Sequence, residues 1–255
     1  MPFIPESSDP SSEGARTQTD RQILDLKRRL IREATYAIGM LESAVDALFR
    51  LDGEAAHNVR GRDDRIDVEE VQIESECLRI LALHNPYAHD FRVVTFILKT
   101  NASVERVGDH ATSLAKIGQK IRRHMSGLPA DQPLPDDRAV TVPPWPTALV
   151  EMGQRVPAMC HELLRAVLDE DAEGAKALVA SDRVIDTLDK RLFTETAAMV
   201  DARTMPVPVG LLVSRAGREL ERIGDLMTDV AEEVVYLVTG SIIRHEDKKR
   251  WKTGT

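Results

Sequence analysis

Glu105-Arg106-Val107-Gly108-Asp109 and Glu221-Arg222-Ile223-Gly224-Asp225 are near copies of one pentapeptide, 225 − 109 = 116 residues apart. Around the first copy Val93, Ile97, Thr100, Val104, Val107, Ala111, Leu114, Ile117 and Ile121 recur by threes and fours. Around the second, Leu212, Ala216, Leu220, Ile223, Met227, Val230, Val234 and Leu237 do the same. That spacing marks amphipathic helices, so each Glu and Asp stand one turn apart on a helix face. Like charges at i and i+4 cost about 0.2–0.5 kcal/mol, and a mid-helix glycine costs about 1 kcal/mol relative to alanine. A chain that carries both penalties twice points to a use for them.

Working outward, Ile23, Leu26, Leu30, Ala34, Ala37, Leu41, Val45 and Leu48 predict a long first helix, interrupted by Asp52-Gly53. Val59, Ile66, Ile73, Cys77 and Ile80 predict a second. His84-Asn85-Pro86 ends it, because the residue before a proline avoids the helical region. The third helix starts at about Ala88. Six of the 13 prolines (129, 133, 135, 143, 144, 146) then fall between His124 and Thr147, the composition of a semi-extended linker. Leu149, Met152, Val156, Met159, Leu163 and Ala166 restart the period, another helix covers roughly 171–201, and Met205-Pro206-Val207-Pro208 breaks it. Gly240 is placed to end the last helix.

The halves match in detail. Leu51-Asp52 answers Leu168-Asp169, and Ile66-Asp67 answers Ile185-Asp186 at an offset of 186 − 67 = 119. The change from 119 to 116 fits a three-residue indel in the turn before the third helix. The expected fold is all-α, two tandem three-helix bundles made by internal duplication. Residues 1–19 form a disordered N-terminal tail in this reading. The first bundle spans 20–124, the Pro-rich linker 125–146, the second bundle 147–240, and a charged tail 241–255. The basic residues of that last segment (Arg244, Lys248, Lys249, Arg250, Lys252) make it a solubilising end, one that could also touch an acidic surface.

Composition narrows the function. The net charge of −8 over 255 residues argues against non-specific nucleic-acid binding. Hydrophobic residues make up 42% of the chain but aromatics only 4%, which suits helix packing by Leu, Val, Ile and Ala. No basic segment leads into an apolar core at the N-terminus, and no run approaches the ~18 apolar residues of a membrane span, so a soluble cytoplasmic protein is expected. Cys77 and Cys160 lack ligand-spaced partners and are expected to pack as small hydrophobes.

On a helical wheel Glu105 and Asp109 fall opposite Val104, Val107, Ala111 and Leu114. Glu221, Asp225, Asp229 and Glu233 make an i, i+4 stripe opposite Ile223, Met227, Val230 and Val234. Carboxylates so placed can jointly hold a hard cation or bridge two metals. Spacing alone favours a solvated polar face; the repetition and the two glycines shift the balance toward a site. Two carboxylates do not complete one, and Asp67, Asp90 and Asp186 are the candidates to contribute from other helices.

These residues resemble the PhoU family of phosphate-signalling regulators over most of residues 20–240. The match rests on Glu-Arg-Val-Gly-Asp-His-Ala at 105–111, on Glu-Arg-Ile-Gly-Asp at 221–225 running on to Ala231-Glu-Glu-Val-Val-Tyr-Leu-Val-Thr-Gly240, and on Pro86 with Asp90-Phe91-Arg92. The resemblance implies two three-helix bundles with metal ions (iron, zinc, magnesium or manganese) on Glu105, Asp109, Glu221 and Asp225. It also implies negative regulation of the phosphate-starvation response, through a sensor histidine kinase and the phosphate ABC transporter, and a homodimer is expected. Ser113 stands where the family often has Asn, whereas Asp229 occupies the matching position in the second half. A counterpart of Asp90 is absent there.

Two alternatives compete: a carboxylate-bridged dinuclear metalloenzyme, and a metal-free helical adaptor. Against the first, no E-x-x-H accompanies the pairs. His161-Glu162-Leu163-Leu164-Arg165 also falls one histidine short of a zinc-protease helix. The reading is therefore non-enzymatic.

Overall fold

The computed structural model describes residues 10–129, 132–135 and 139–243. The first half holds α1 (Pro10–Arg50), α2 (Gly53–Arg60), α3 (Asp63–His84) and α4 (His89–Met125). The second holds α5 (Thr147–Leu168), α6 (Ala172–Asp201) and α7 (Val207–Thr239). No strand occurs among the described residues, and no helix there is long and apolar enough to cross a membrane. Residues 1–9 and 244–255, parts of the two expected tails, lie outside the described residues.

Helix α1 begins at Pro10, well inside the segment expected to be a disordered tail. Proline is favourable at a first helical position, where its fixed φ is preset and its missing N–H is not needed.

The turn after the first helix shows how the duplication is laid out. Leu51 (φ 53°) passes to Asp52, whose Oδ1 accepts the Ala55 N–H at 2.9 Å. Glu170 (φ 49°) passes likewise to Asp171, whose Oδ1 accepts from the Glu173 and Gly174 N–H groups at 3.1 and 3.0 Å. Leu51-Asp52 is thus answered by Glu170-Asp171, not by Leu168-Asp169. The offset is 171 − 52 = 119, the one that relates Ile66 to Ile185. Asp N-caps satisfy the orphan donors of α2 and α6 in the same way.

With that register, α2 and α3 together correspond to α6. The expected single second helix of the first half is broken at Gly61, whose counterpart is Ala180 (180 − 61 = 119). Glycine gives up more backbone freedom in a helix than alanine does, so the first half turns where the second runs on.

The long helices of the two halves are paired. On α4 and α7, Arg92 Nε donates to the Leu237 carbonyl at 3.1 Å, Lys99 Nζ to Glu233 at 3.0 Å, and His110 Nδ1 meets Glu219 Oε2 at 2.8 Å. Residue numbers rise on one helix as they fall on the other, so the two run antiparallel. The 116-residue repeat then places Val107 and Ile223, the centres of the pentapeptides, about the pseudo-twofold axis. Helices α1 and α5 are antiparallel too, joined by Lys27–Glu170 at 3.0 Å and Glu42–His161 at 2.9 Å. All buried apolar residues of both halves belong to one cluster, so the repeats share a core.

The proline-rich segment is tied down at both ends. Arg122 Nη2 donates to the Pro135 carbonyl at 2.7 Å, and Trp145 Nε1 donates to the Phe49 carbonyl at 3.1 Å. The Trp145 and Phe49 rings meet edge to face, centroids 5.7 Å apart.

Two glycine substitutions should act in opposite directions. Gly61 has φ −76°, and a Cβ there meets nothing closer than 3.8 Å, so Gly61→Ala should stabilise by about 0.4–1 kcal/mol. A Cβ on Gly153 would lie 2.6 Å from Phe49 Cε2, so Gly153→Ala should destabilise by about 1–3 kcal/mol. Urea unfolding followed by circular dichroism reads both.

Candidate functional site

Each pentapeptide glycine is where a second helix comes close. A Cβ on Gly108 would stand 2.9 Å from Ile66 Cδ1 on α3, and one on Gly224 would stand 3.4 Å from Ile185 Cγ2 on α6. Ile66 and Ile185 are repeat counterparts, both buried. The glycines therefore let α3 lie on α4 and α6 lie on α7. Asp67 follows Ile66 and Asp186 follows Ile185, so the approach brings carboxylates of the second helix to the Glu and Asp of the third.

In the second half the result is a convergent trio. Asp186 from α6 and Glu221 and Asp225 from α7 each offer an oxygen, all within 4.8 Å of one another. Asp186 and Asp225 are exposed and Glu221 is half-buried, so the group sits in a shallow cleft between the helices. Burial pushes the Glu221 carboxyl above its ordinary range; Asp225 adds to this, Arg218 opposes it, and Asp189 and Asp186 push it further.

The first half repeats the theme more loosely. Burial pushes the Glu105 carboxyl up, reinforced by Asp109, Asp67 and Glu70. Asp63 is raised by burial and by Asp109 and Asp67, and Glu70 by burial and by Glu74 and Asp67. Six carboxylates thus crowd the α3–α4 seam, although no three of them converge as the second trio does. Sequence reasoning missed Asp63, Glu70 and Asp189. The signal was present: Glu70 and Asp189 stand at the 119-residue offset (189 − 70 = 119), one turn beyond Asp67 and Asp186.

Other expected residues lie apart. Asp90, half-buried at the start of α4, is fifteen residues before Glu105, about 22 Å along the helix. Asp229 is outside the trio and lines a groove between α4 and α7 with Lys99, Thr100, Ser103, Glu232 and Glu233. The i, i+4 stripe from Glu221 to Glu233 is also interrupted, since Glu233 is 6% exposed and bound to Lys99. Nor do the Glu residues of the pentapeptides face open solvent opposite the core. Both are half-buried and turned toward the neighbouring helix, because Ile66 and Ile185 draw that helix in.

Cys77 and Cys160 are buried, and burial pushes both thiols up to about 12, so they pack as apolar groups. His110, next to Asp109 in the sequence, joins Glu219 across the α4–α7 seam.

Chemically the trio suits a hard cation: carboxylate oxygens, no sulfur, no imidazole, and a Glu whose charge is disfavoured until something positive arrives. The first-half cluster has the same donor type.

A PhoU domain pattern matches residues 30–118 and 149–234. The phosphate-specific transport system accessory protein PhoU homolog of Deinococcus radiodurans is 33% identical over 202 residues, covering 79% of this chain and 87% of that one. The phosphate-specific transport system accessory protein PhoU of Escherichia coli is 30% identical over 212 residues, 80% of this chain and 78% of that one. A crystal structure of PhoU from Pseudomonas aeruginosa superposes with a TM-score of 0.74 at 29% identity, over 87% of this chain and 99% of that one. The phosphate transport system regulatory protein PhoU of Streptococcus pneumoniae gives 0.73 at 25% identity, over 88% and 98%.

The raised carboxyls fix a pH trend. A carboxyl whose folded-state value lies above its ordinary value binds a proton more tightly when folded. Stability of the metal-free protein should therefore rise as pH falls from neutral toward the ordinary carboxylate range. Glu221→Gln should flatten that rise and raise the neutral-pH midpoint. Urea midpoints in chelator from pH 7 to 5 measure it; an unchanged slope in Glu221→Gln would assign the trend elsewhere.

Proposed function

The chain belongs to the PhoU family, and on that premise we propose that it is a non-enzymatic accessory regulator of phosphate transport, with metal ions seated between its second and third helices in each half. The observation that supports the metal reading best is the convergence of Asp186, Glu221 and Asp225 from two helices. Its relatives are named as accessory proteins of the phosphate transport system, which supports the transport role.

In this reading the residues work by charge cancellation. Without a cation, Glu221 and Asp225 on α7 repel Asp186 on α6, and the seam is held only by the Ile185–Gly224 contact and its apolar neighbours. A bound cation would turn that repulsion into attraction and stabilise one seating of α6 on α7. The same holds for Asp67, Glu105 and Asp109 between α3 and α4. The outer faces of α3 and α6 are the surfaces this ordering presents. They would be read by the phosphate ABC transporter and by a sensor histidine kinase in the cytoplasm, with phosphate-starvation signalling held off when phosphate is plentiful.

Two measurements test this. Metal analysis of the purified protein should find bound metal that falls in Glu221→Ala/Asp225→Ala, along with the thermal stabilisation that added metal gives. Equal metal content in wild type and double variant would remove the site. Deleting the gene in its host grown in high phosphate should raise a phosphate-starvation reporter, and restoring it should lower the signal. A reporter indifferent to deletion would remove the regulatory role.

A further inference from the structure

Helix α3 has two apolar faces, and the bundle uses one of them. Its inner face sets Ile66, Ile73, Cys77 and Ile80 into the core. On the opposite side Val68, Val71, Ser75, Leu78 and Ala82 follow one another by steps of three, four, three and four. All five are exposed, Val68 at 58%, Val71 at 61% and Leu78 at 50%. Asp64, one step earlier, ends the run. Such alternating steps are the a and d positions of a coiled coil, with Val68, Ser75 and Ala82 at a and Val71 and Leu78 at d. A β-branched residue at a with leucine at d favours two strands over three.

The stripe is not a by-product of the duplication. At the 119-residue offset α6 has Thr187, Lys190, Thr194, Ala197 and Asp201, so an ammonium stands where α3 has Val71. Three large apolar side chains aligned on solvent, in one half alone, mark a surface that meets another.

The flanks of the stripe say what it meets. On one edge, the g positions, stand Asp67 and Glu74; on the other, the e positions, stand Arg65, Gln72 and Arg79. One edge is acidic and the other basic. In two identical helices running parallel, each g side chain faces the e side chain five residues on in the other copy. Glu74 then meets Arg79 of the second copy, twice per dimer, and Asp67 meets Gln72. An antiparallel pair would set acids against acids and cations against cations. Glu74 also stands one turn from Glu70 on that crowded edge, so an arriving guanidinium relieves repulsion already present. Within the chain Arg79 bridges Glu76 at 2.6 Å, a solvent-facing i, i+3 pair of little strength, and its guanidinium can be shared.

We infer that two copies of this chain pair in parallel along α3, the twofold axis running beside the helix and Val68, Val71 and Leu78 each packing against its own equivalent. Pairing buries the outer face of α3 and leaves that of α6, which lacks the stripe, for other proteins. It needs no bound metal and is tested in chelator, so its failure and that of the metal reading are distinguishable.

Sedimentation equilibrium of the wild-type chain should show a reversible dimer. Val71→Lys, which installs the residue α6 carries at the same place, should weaken it at least about tenfold, because two ammonium groups would enter an apolar seam. Its helical circular dichroism should not change, since residue 71 is exposed in the single chain. Glu74→Arg and Arg79→Glu should each weaken the dimer about threefold or more, and the two combined in one chain should restore it. Oxidation reads the direction. Val71→Cys and Leu78→Cys, about 10 Å apart along the helix, should each give a disulfide-linked dimer. The wild type should give none, because Cys77 and Cys160 are buried. A monomer even at submillimolar concentration would overturn the inference, as would a dimer that Val71→Lys leaves intact. Failure of either disulfide would overturn the parallel arrangement.

Discussion

Everything at the carboxylate seams depends on two close contacts, Ile66 on Gly108 and Ile185 on Gly224. Acidic helices would otherwise separate until water screened them. Glycine removes the Cβ that would hold the neighbouring helix off, and isoleucine supplies apolar burial to draw it in. The local cost, a glycine in mid-helix and charges of one sign in register, is about 1 kcal/mol or a little more per copy. The return is a cleft walled by carboxylates from two helices. The same pair of residue types does this in both halves.

Much of this was legible in the sequence. Threefold and fourfold apolar spacing marked every long helix, and Asn85-Pro86, Asp52 and Gly240 marked their ends, because these signals act within a turn or two of chain. The break at Gly61 was harder, since Val59 and Ile66 keep a common apolar period across it. The α1–α2 turn was matched to the wrong residues because letters were compared, whereas the repeated feature is a left-handed residue followed by a capping aspartate. Leu51 and Glu170 share a backbone conformation and nothing else.

The site divides on the same principle. Glu105, Asp109, Glu221 and Asp225 could be placed from one helix alone. Asp186 and Asp67 needed the partner helix, which the repeat supplied through Ile66 and Ile185. Asp229 failed to join because a stripe drawn on a wheel does not say which neighbour each turn faces. Glu221 faces α6, whereas Asp229 and Glu233, two and three turns on, look toward α4, where Lys99 takes Glu233. Tertiary contacts, not spacing, decide where such a stripe stops being one site.

The single core that α1, α4, α5 and α7 build across the pseudo-twofold axis has an evolutionary consequence. Half of this chain would expose the apolar faces that now meet at that axis. An ancestor of half the length could cover them only by pairing with an identical copy, through an interface in which each patch meets itself. Fusing two such copies would tether subunits that were already assembled. Once tethered, such copies are free to diverge, and Gly61 and Ala180 mark one position where the two halves differ.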